Sequence, residues 1–166
     1  IIFRYAEVLL IRAEAGAELG KDPELDLTVN ALRKRVGFNV KLTSSPATDP
    51  KLVAKHPIIK GTNADLIREI RRERRVELFG EGLRYADLMR WGCGERLVAP
   101  KAGMMLYTDV YTPEEIAVLK TEVGTYADGS LDVYGKRVTT PAIFESPKHY
   151  LFSLPLNEMA LNPKLK

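Results

Sequence analysis

The sequence predicts a mainly α fold: TPR-like antiparallel helical hairpins, an alpha-alpha superhelix, followed by a loop-rich C-terminal region with short strands. Three observations predict it. Apolar residues recur at helical spacing through the first half of the chain. Glycines and Asp-Pro pairs punctuate that pattern where helices would start and stop. After Gly94 the periodicity fades and turn residues take over. The 166 residues suit a single domain, with a helical scaffold over 1–94 and a closing region over 95–166.

The first helix is expected from Phe3 to Leu19. Ala6, Ala13 and Ala17 fall on one stripe and would let a neighbouring helix approach closely. Val8, Leu9, Leu10 and Ile11 cover several directions at once, which predicts burial on more than one side. Gly20 stops it. Asp22-Pro23 reads as N-cap and first residue of a second helix, with Leu25, Val29, Leu32 and Val36 as its apolar stripe and Gly37 as its end. The short connection makes the two an antiparallel hairpin.

Residues 38–61 hold three prolines and little periodicity, so they read as a long loop, functional or mobile by its length. Thr62 and Asp65 resemble a capping box for a third helix reaching about Phe79. Gly80 and Gly82 break it, and a fourth short helix carries Leu83, Ala86 and Met89–Trp91. Two successive hairpins suggest a TPR-like stack, although the spacing is not constant enough for a repeat. Further on, Thr112-Pro113-Glu114-Glu115 opens a short helix, with Pro at its first position and acids in its first turn. Ala127-Asp128-Gly129-Ser130 is a turn. Short strands are expected near 135–139 and 150–154. Asn157 would cap a last turn that Asn162-Pro163 stops.

Composition narrows the function. Hydrophobic residues are 45% and charged residues 28%, the balance of a globular protein. No apolar run reaches the roughly 20 residues of a membrane helix. A net charge of +3 gives no reason to invoke nucleic acid. The arginine-rich stretch Asp65–Trp91 does not change this, because its seven arginines face six acids. Cys93 is the sole cysteine, and with His56 and His149 it shows no metal-ligand spacing. No nucleophile motif, P-loop or dinucleotide fingerprint is present, so neither catalytic residues nor a cofactor are expected.

The third helix carries the most information. Leu66, Ile67, Ile70 and Leu78 define its apolar face, and Glu73, Arg74 and Glu77 project into the same arc. Arg68, Arg72 and Arg75 point away. A charge on a packing face must be paired or it costs several kcal/mol. Arg74 and Glu77 can pair at i, i+3. Glu73 has no arginine three or four residues away, so its partner must come from elsewhere, with Arg84, Arg90 or Arg12 as candidates. The expectation is a half-buried ion-pair network locking this helix to its neighbours. Paired catalytic carboxylates, as in a glycosidase, are the competing reading. Charges this regular on one helix are more often structural.

Three segments resemble the SusD/RagB family. Phe3–Ala15 is similar to the helix before the family's conserved C-terminal region. Ile70–Trp91 resembles its most characteristic signature, and Tyr150–Pro163 its closing segment. Their order and spacing fit, and together they span nearly the whole chain. Ser153 stands where the family commonly carries a proline. The resemblance implies a non-enzymatic, nutrient-binding surface lipoprotein of the outer membrane. Such proteins capture oligosaccharides, and some capture peptides, for import through a SusC-like TonB-dependent transporter. It also implies that ligand contacts come largely from loops preceding this stretch. The chain starts without Met, so a signal peptide and a lipid anchor, its only link to the membrane, are expected upstream.

Within this chain, Tyr107, Tyr111, Tyr126 and Tyr134 are the candidate sugar-stacking residues, because they lie in the loop-rich region. Trp91, inside the signature, is expected to pack in the core instead. The alternative to glycan capture is a TPR-like helical scaffold that binds a protein or peptide partner.

Overall fold

The computed structural model describes residues 4–98, 102–106, 110–134, 142–151, 156–162 and 164. The chain divides into two compact units, Ile1–Cys93 and Gly94–Lys166.

The first unit is built from helices α1 (Tyr5–Glu18), α2 (Val29–Arg35), α3 (Pro50–Lys55), α4 (Ala64–Glu77) and α5 (Arg84–Arg90). α1 packs along α4 and against α2, and α3 packs on α4. The alanine stripe of α1 lies in this seam, with Ala6, Ala13 and Ala17 all buried. Leu10, Val29 and Ile70 are fully buried at its centre, joined by Leu32, Leu42, Leu66, Ile67 and Leu78. Each such side chain contributes about 1.5–3 kcal/mol by leaving water. Gly16 sits inside α1 because the returning backbone passes over it, and a Cβ there would lie 2.8 Å from the Pro23 Cα.

Several expectations are corrected. α1 is not buried on more than one side within this chain: Tyr5, Val8, Ile11 and Leu19 remain half or more exposed. α2 begins at Val29 rather than after Asp22. Asp22 instead accepts from the Glu24 amide at 2.8 Å, and Glu24 adopts a positive φ of 48° that no helix tolerates. Leu27, before the helix, and Val36, just past its end, are exposed. The 38–61 segment is not a plain loop, since it contains α3. Asp49-Pro50 supplies that helix's cap and first residue, and the Asp49 carboxylate accepts from the Lys51 amide at 2.8 Å. The preceding stretch is pinned by side chains. Asn30 bonds both the amide and the carbonyl of Leu42, at 2.7 and 3.1 Å, as a neighbouring strand would. Thr62 and Asp65 do not form the expected box. Asp65 accepts from Thr48 and Arg68, and Asn63, at the cap position, donates to the Ala17 carbonyl at 2.9 Å.

The second unit holds β1 (Ala102–Met105), α6 (Pro113–Glu122), β2 (Ser130–Asp132) and α7 (Leu156–Leu161). α6 has the capping box its sequence announces, with Thr112 and Glu115 bonding each other's backbone amides. The Ala127–Ser130 turn is present too, with Gly129 at φ 85° and the Asp128 carboxylate accepting from Ser130. It leads into an antiparallel pairing of β1 and β2. Of the expected strands, 135–139 lies outside the described residues, as does 152–154. Tyr150 ends a 3₁₀ turn, Lys148–Tyr150, rather than starting a strand. Asn157 falls inside the first turn of α7, not at its cap. Pro163 is outside the described residues. No described helix is long and apolar enough to cross a membrane.

Candidate functional site

The charged residues of α4 tie three helices to it. Glu73 accepts from Arg33 of α2 at 2.6 Å. Arg33 follows Val29 by one helical turn, so its burial beside that residue was readable from spacing. The candidate partners go elsewhere: Arg12 pairs with Glu24, and Arg90 with Glu14 and Asp87. Arg74 and Glu77 do not pair with each other. Arg74 donates to both Asp87 oxygens, at 2.9 and 2.8 Å, and reaches Glu7 at 3.3 Å. Glu77 accepts from Arg4 and from Arg35, the latter at 2.6 Å. Arg74 and Glu77 are both largely buried, and each takes its partners from other elements, as a charge removed from water requires. Arg72 and Arg75 do point to solvent. Arg68 does not: it is buried, donating to Asp65 and to the Ile59 carbonyl at 2.6 Å.

Glu14 is the centre of a second cluster. It is buried on α1 and accepts from Arg71 at 2.9 Å, Arg90 at 2.7 Å and the Trp91 indole at 2.6 Å. Burial alone would raise its pKa. The Arg90 hydrogen bond and charge, the Arg71 charge and the Trp91 bond outweigh that, and the carboxyl is held below its ordinary value. Glu69 lies in the opposite balance. Burial pushes it up more than Arg72 and Arg33 pull it down, with Glu73 and Asp49 adding to the rise.

Trp91 is 5% exposed, so it packs in the core and offers no face to a ligand. The Arg71 and Arg90 guanidiniums lie 4.7 and 4.8 Å from its ring centre, and His56 meets it edge-on at 5.5 Å. His56 is buried, with its Nδ1 3.7 Å from the Cys93 sulfur. Among the described residues, no group of His, Cys, Asp and Glu is placed to hold a metal ion.

Three of the four tyrosines fall on described residues. Tyr107 lies outside the described residues. Tyr111 donates to the Met104 sulfur at 3.1 Å, against β1. Tyr126 donates to Asp132 at 2.9 Å, and desolvation followed by that carboxylate raises its pKa. Tyr134 remains 55% exposed.

One described cavity was not anticipated. A groove of about 840 Å³ opens between α2 and the extended segment 38–41. Its lining includes Arg33, Lys34, Arg35, Lys41 and Asp26, with Phe38 and Val40 among the apolar residues. The sequence signal was the Arg33-Lys34-Arg35 run followed by Phe38 just past Gly37.

The model of the SusD family matches residues 1–166. SusD-like protein P38 of Formosa agariphila is 36% identical over 104 residues, covering 63% of this chain and 19% of that protein. The crystal structure of a SusD-like carbohydrate binding protein from Bacteroides fragilis NCTC 9343 superposes with a TM-score of 0.63 at 31% identity. That match covers 99% of this chain and 28% of the other. The chain therefore spans less than a third of the length of either relative.

Proposed function

Since the chain belongs to the SusD family, we propose that it serves a non-catalytic glycan-binding protein at the outer membrane surface. That protein captures oligosaccharides and hands them to a SusC-like TonB-dependent transporter. The observation that carries the reading is the match over the whole chain, joined to a solved relative whose own description is carbohydrate binding.

Geometry supports the non-catalytic part. A glycosidase needs two carboxylates facing a cleft. Here Glu14, Glu73, Glu77 and Asp87 are each engaged by arginines within the first unit. They hold helices together and are occupied in doing so. In this reading the first unit is scaffold, and Tyr111, Tyr126 and Tyr134 are secondary sugar contacts.

The test is a glycan-binding screen of the longer protein beside this chain, with product analysis of every glycan that binds. Binding without cleavage is expected. Release of shortened glycans would overturn the non-catalytic reading, and no binding by the longer protein would overturn glycan capture.

A second reading, a helical scaffold for a protein partner, draws on the exposed apolar residues Val8, Ile11 and Leu19 of the α1 region. An upstream signal peptide ending at a lipidation cysteine, beside a transporter gene, would favour the first.

A further inference from the structure

α1 is apolar on two sides. Its inner side, with Ala6, Leu10, Ala13 and Ala17, is buried against α4 and α2. Its outer side carries Tyr5, Val8, Arg12, Ala15 and Leu19, spaced three or four residues apart and so stacked in one stripe. Ile11 flanks it. Tyr5 and Leu19 are 75% and 69% exposed, and Val8 and Ile11 about half. Arg12 is the stripe's one charge, and Glu24 holds it. The outward side of α4 differs, because Arg72 and Arg75 stand there beside Val76, as on a face turned to water. A helix apolar on both sides is built to be buried on both.

A groove of about 270 Å³ continues the stripe between α1 and α2. It is lined by Ala6 and Leu9 of α1 and Ala31 and Leu32 of α2, and Tyr5 belongs to groove and stripe alike. Its two arginines, Arg4 and Arg35, are both held by Glu77. With the cations satisfied, groove and stripe together offer apolar contact. Small side chains at positions 6 and 31 let a further helix approach closely.

Size narrows the occupant. Fourteen residues of helix span about 21 Å, so a face roughly 10 Å wide offers on the order of 200 Å². A free protein partner needs about 800 Å² on each side for a stable complex. A segment joined to the same chain needs less, because tethering holds it at an effective concentration in the millimolar range. Chain of that kind exists in the solved relative, more than two thirds of which lies outside the match.

We propose that the outer stripe of α1 and the groove it shares with α2 seat a helix from the further length of a SusD-like protein to which this chain belongs. This rests on family membership rather than on glycan capture. It gives the face behind the partner-scaffold reading an occupant on its own chain.

Hydroxyl-radical footprinting of the longer protein tests it, with the urea-unfolded protein as reference. Leu10, fully buried in the same helix, sets the level of a covered side chain. Tyr5, Val8, Ile11 and Leu19 are expected to be labelled at least about fivefold more slowly than in urea, close to Leu10. Val8→Glu keeps helix propensity and stands four residues from both Arg4 and Arg12, so it does not harm an open helix. It is expected to lower the melting temperature of the longer protein by about 2–4 °C or more and to leave that of the 166-residue chain unchanged. Where Val8→Glu prevents folding of the longer protein, Val8→Ala is expected to give a smaller drop.

Labelling of the stripe at the unfolded rate would overturn the proposal. So would protection that disappears on dilution, which assigns the face to a second copy, or protection that needs an added transporter. Val8 variants of the longer protein that all melt like the parent would overturn it as well. Glycan binding by the longer protein is measured separately, so loss of either reading leaves the other standing.

Discussion

The Trp91 indole donates a 2.6 Å hydrogen bond to Glu14, a residue 77 positions earlier in the chain. This one contact joins the start of the scaffold to its end. It also makes Glu14 the common acceptor for Trp91, Arg71 and Arg90. Removing this buried charge leaves Arg71 with only Glu18 and Arg90 with only Asp87 to balance them. Glu14→Gln is therefore expected to cost about 3 kcal/mol, read as a lower melting temperature and urea midpoint. A melt matching the parent would mean that water replaces the carboxylate at no cost.

Acid should act through the same residue. The folded chain holds Glu14 below its ordinary value, so folding favours its ionised form. Its contribution is fully present above the unfolded value of about 4.3 and is lost as pH falls through the lowered folded value. A melting series across this acid range should fall more steeply for the parent than for Glu14→Gln. Parallel curves would remove Glu14 from the acid response.

Glu69 predicts the reverse. Burial raises its pKa, so the folded state binds that proton more tightly than the unfolded chain. Its ionised form costs stability at neutral pH, and that cost is relieved as pH falls through its raised folded value. Glu69→Gln is expected to melt higher than the parent at pH 7, with the gap closing toward pH 4. A lower melting temperature at pH 7 would show that its Arg72 pair outweighs burial.

Glu73 tests the seam between α2 and α4. Arg33 is nearly buried and takes its negative partner from Glu73. Glu73→Gln should destabilise by about 1–3 kcal/mol, less than Glu14→Gln, since Glu73 is partly open to water. Thermal melts of the two variants side by side give the ranking, and an equal or larger loss at Glu73 would reverse it.

The second unit has its own tight point. A Cβ added at Gly94 would lie 2.1 Å from the Phe144 ring. That ring also packs edge-on against Tyr150 at 4.9 Å, and Tyr150 accepts from the Gly94 amide at 2.8 Å. Gly94→Ala should cost about 1–3 kcal/mol by overpacking, seen as faster proteolysis after residue 94. Adding Phe144→Leu should restore resistance, and failure to do so would place the strain elsewhere.

Much of the helical scaffold was legible, because its signals are local. The alanine stripe of α1, the apolar face of α4 and the Thr112–Glu115 box depend on residues within a few turns of one another. What was missed depends on distant partners or on choosing between equal local signals. Asp22-Pro23 and Asp49-Pro50 read alike, yet only the second starts a helix, because Glu24 turns the chain just after the first. The ion pairs were legible as a need and not as a pairing. Glu73 lacks a local arginine, and which distant one reaches it is a tertiary matter. The α2 groove escaped notice because it is assembled from a helix end and a following segment that the Asn30–Leu42 and Arg33–Val40 bonds bring together.

Cys93 sits 5% exposed, its sulfur 3.4 Å from the Trp91 carbonyl oxygen and 3.7 Å from His56. An alkylating reagent can reach a thiol so placed only when that corner of the scaffold opens. As the sole cysteine, it makes the chain its own stopwatch. The rate of maleimide uptake, set against an unfolded control, times the opening of the Trp91 corner without any introduced cysteine.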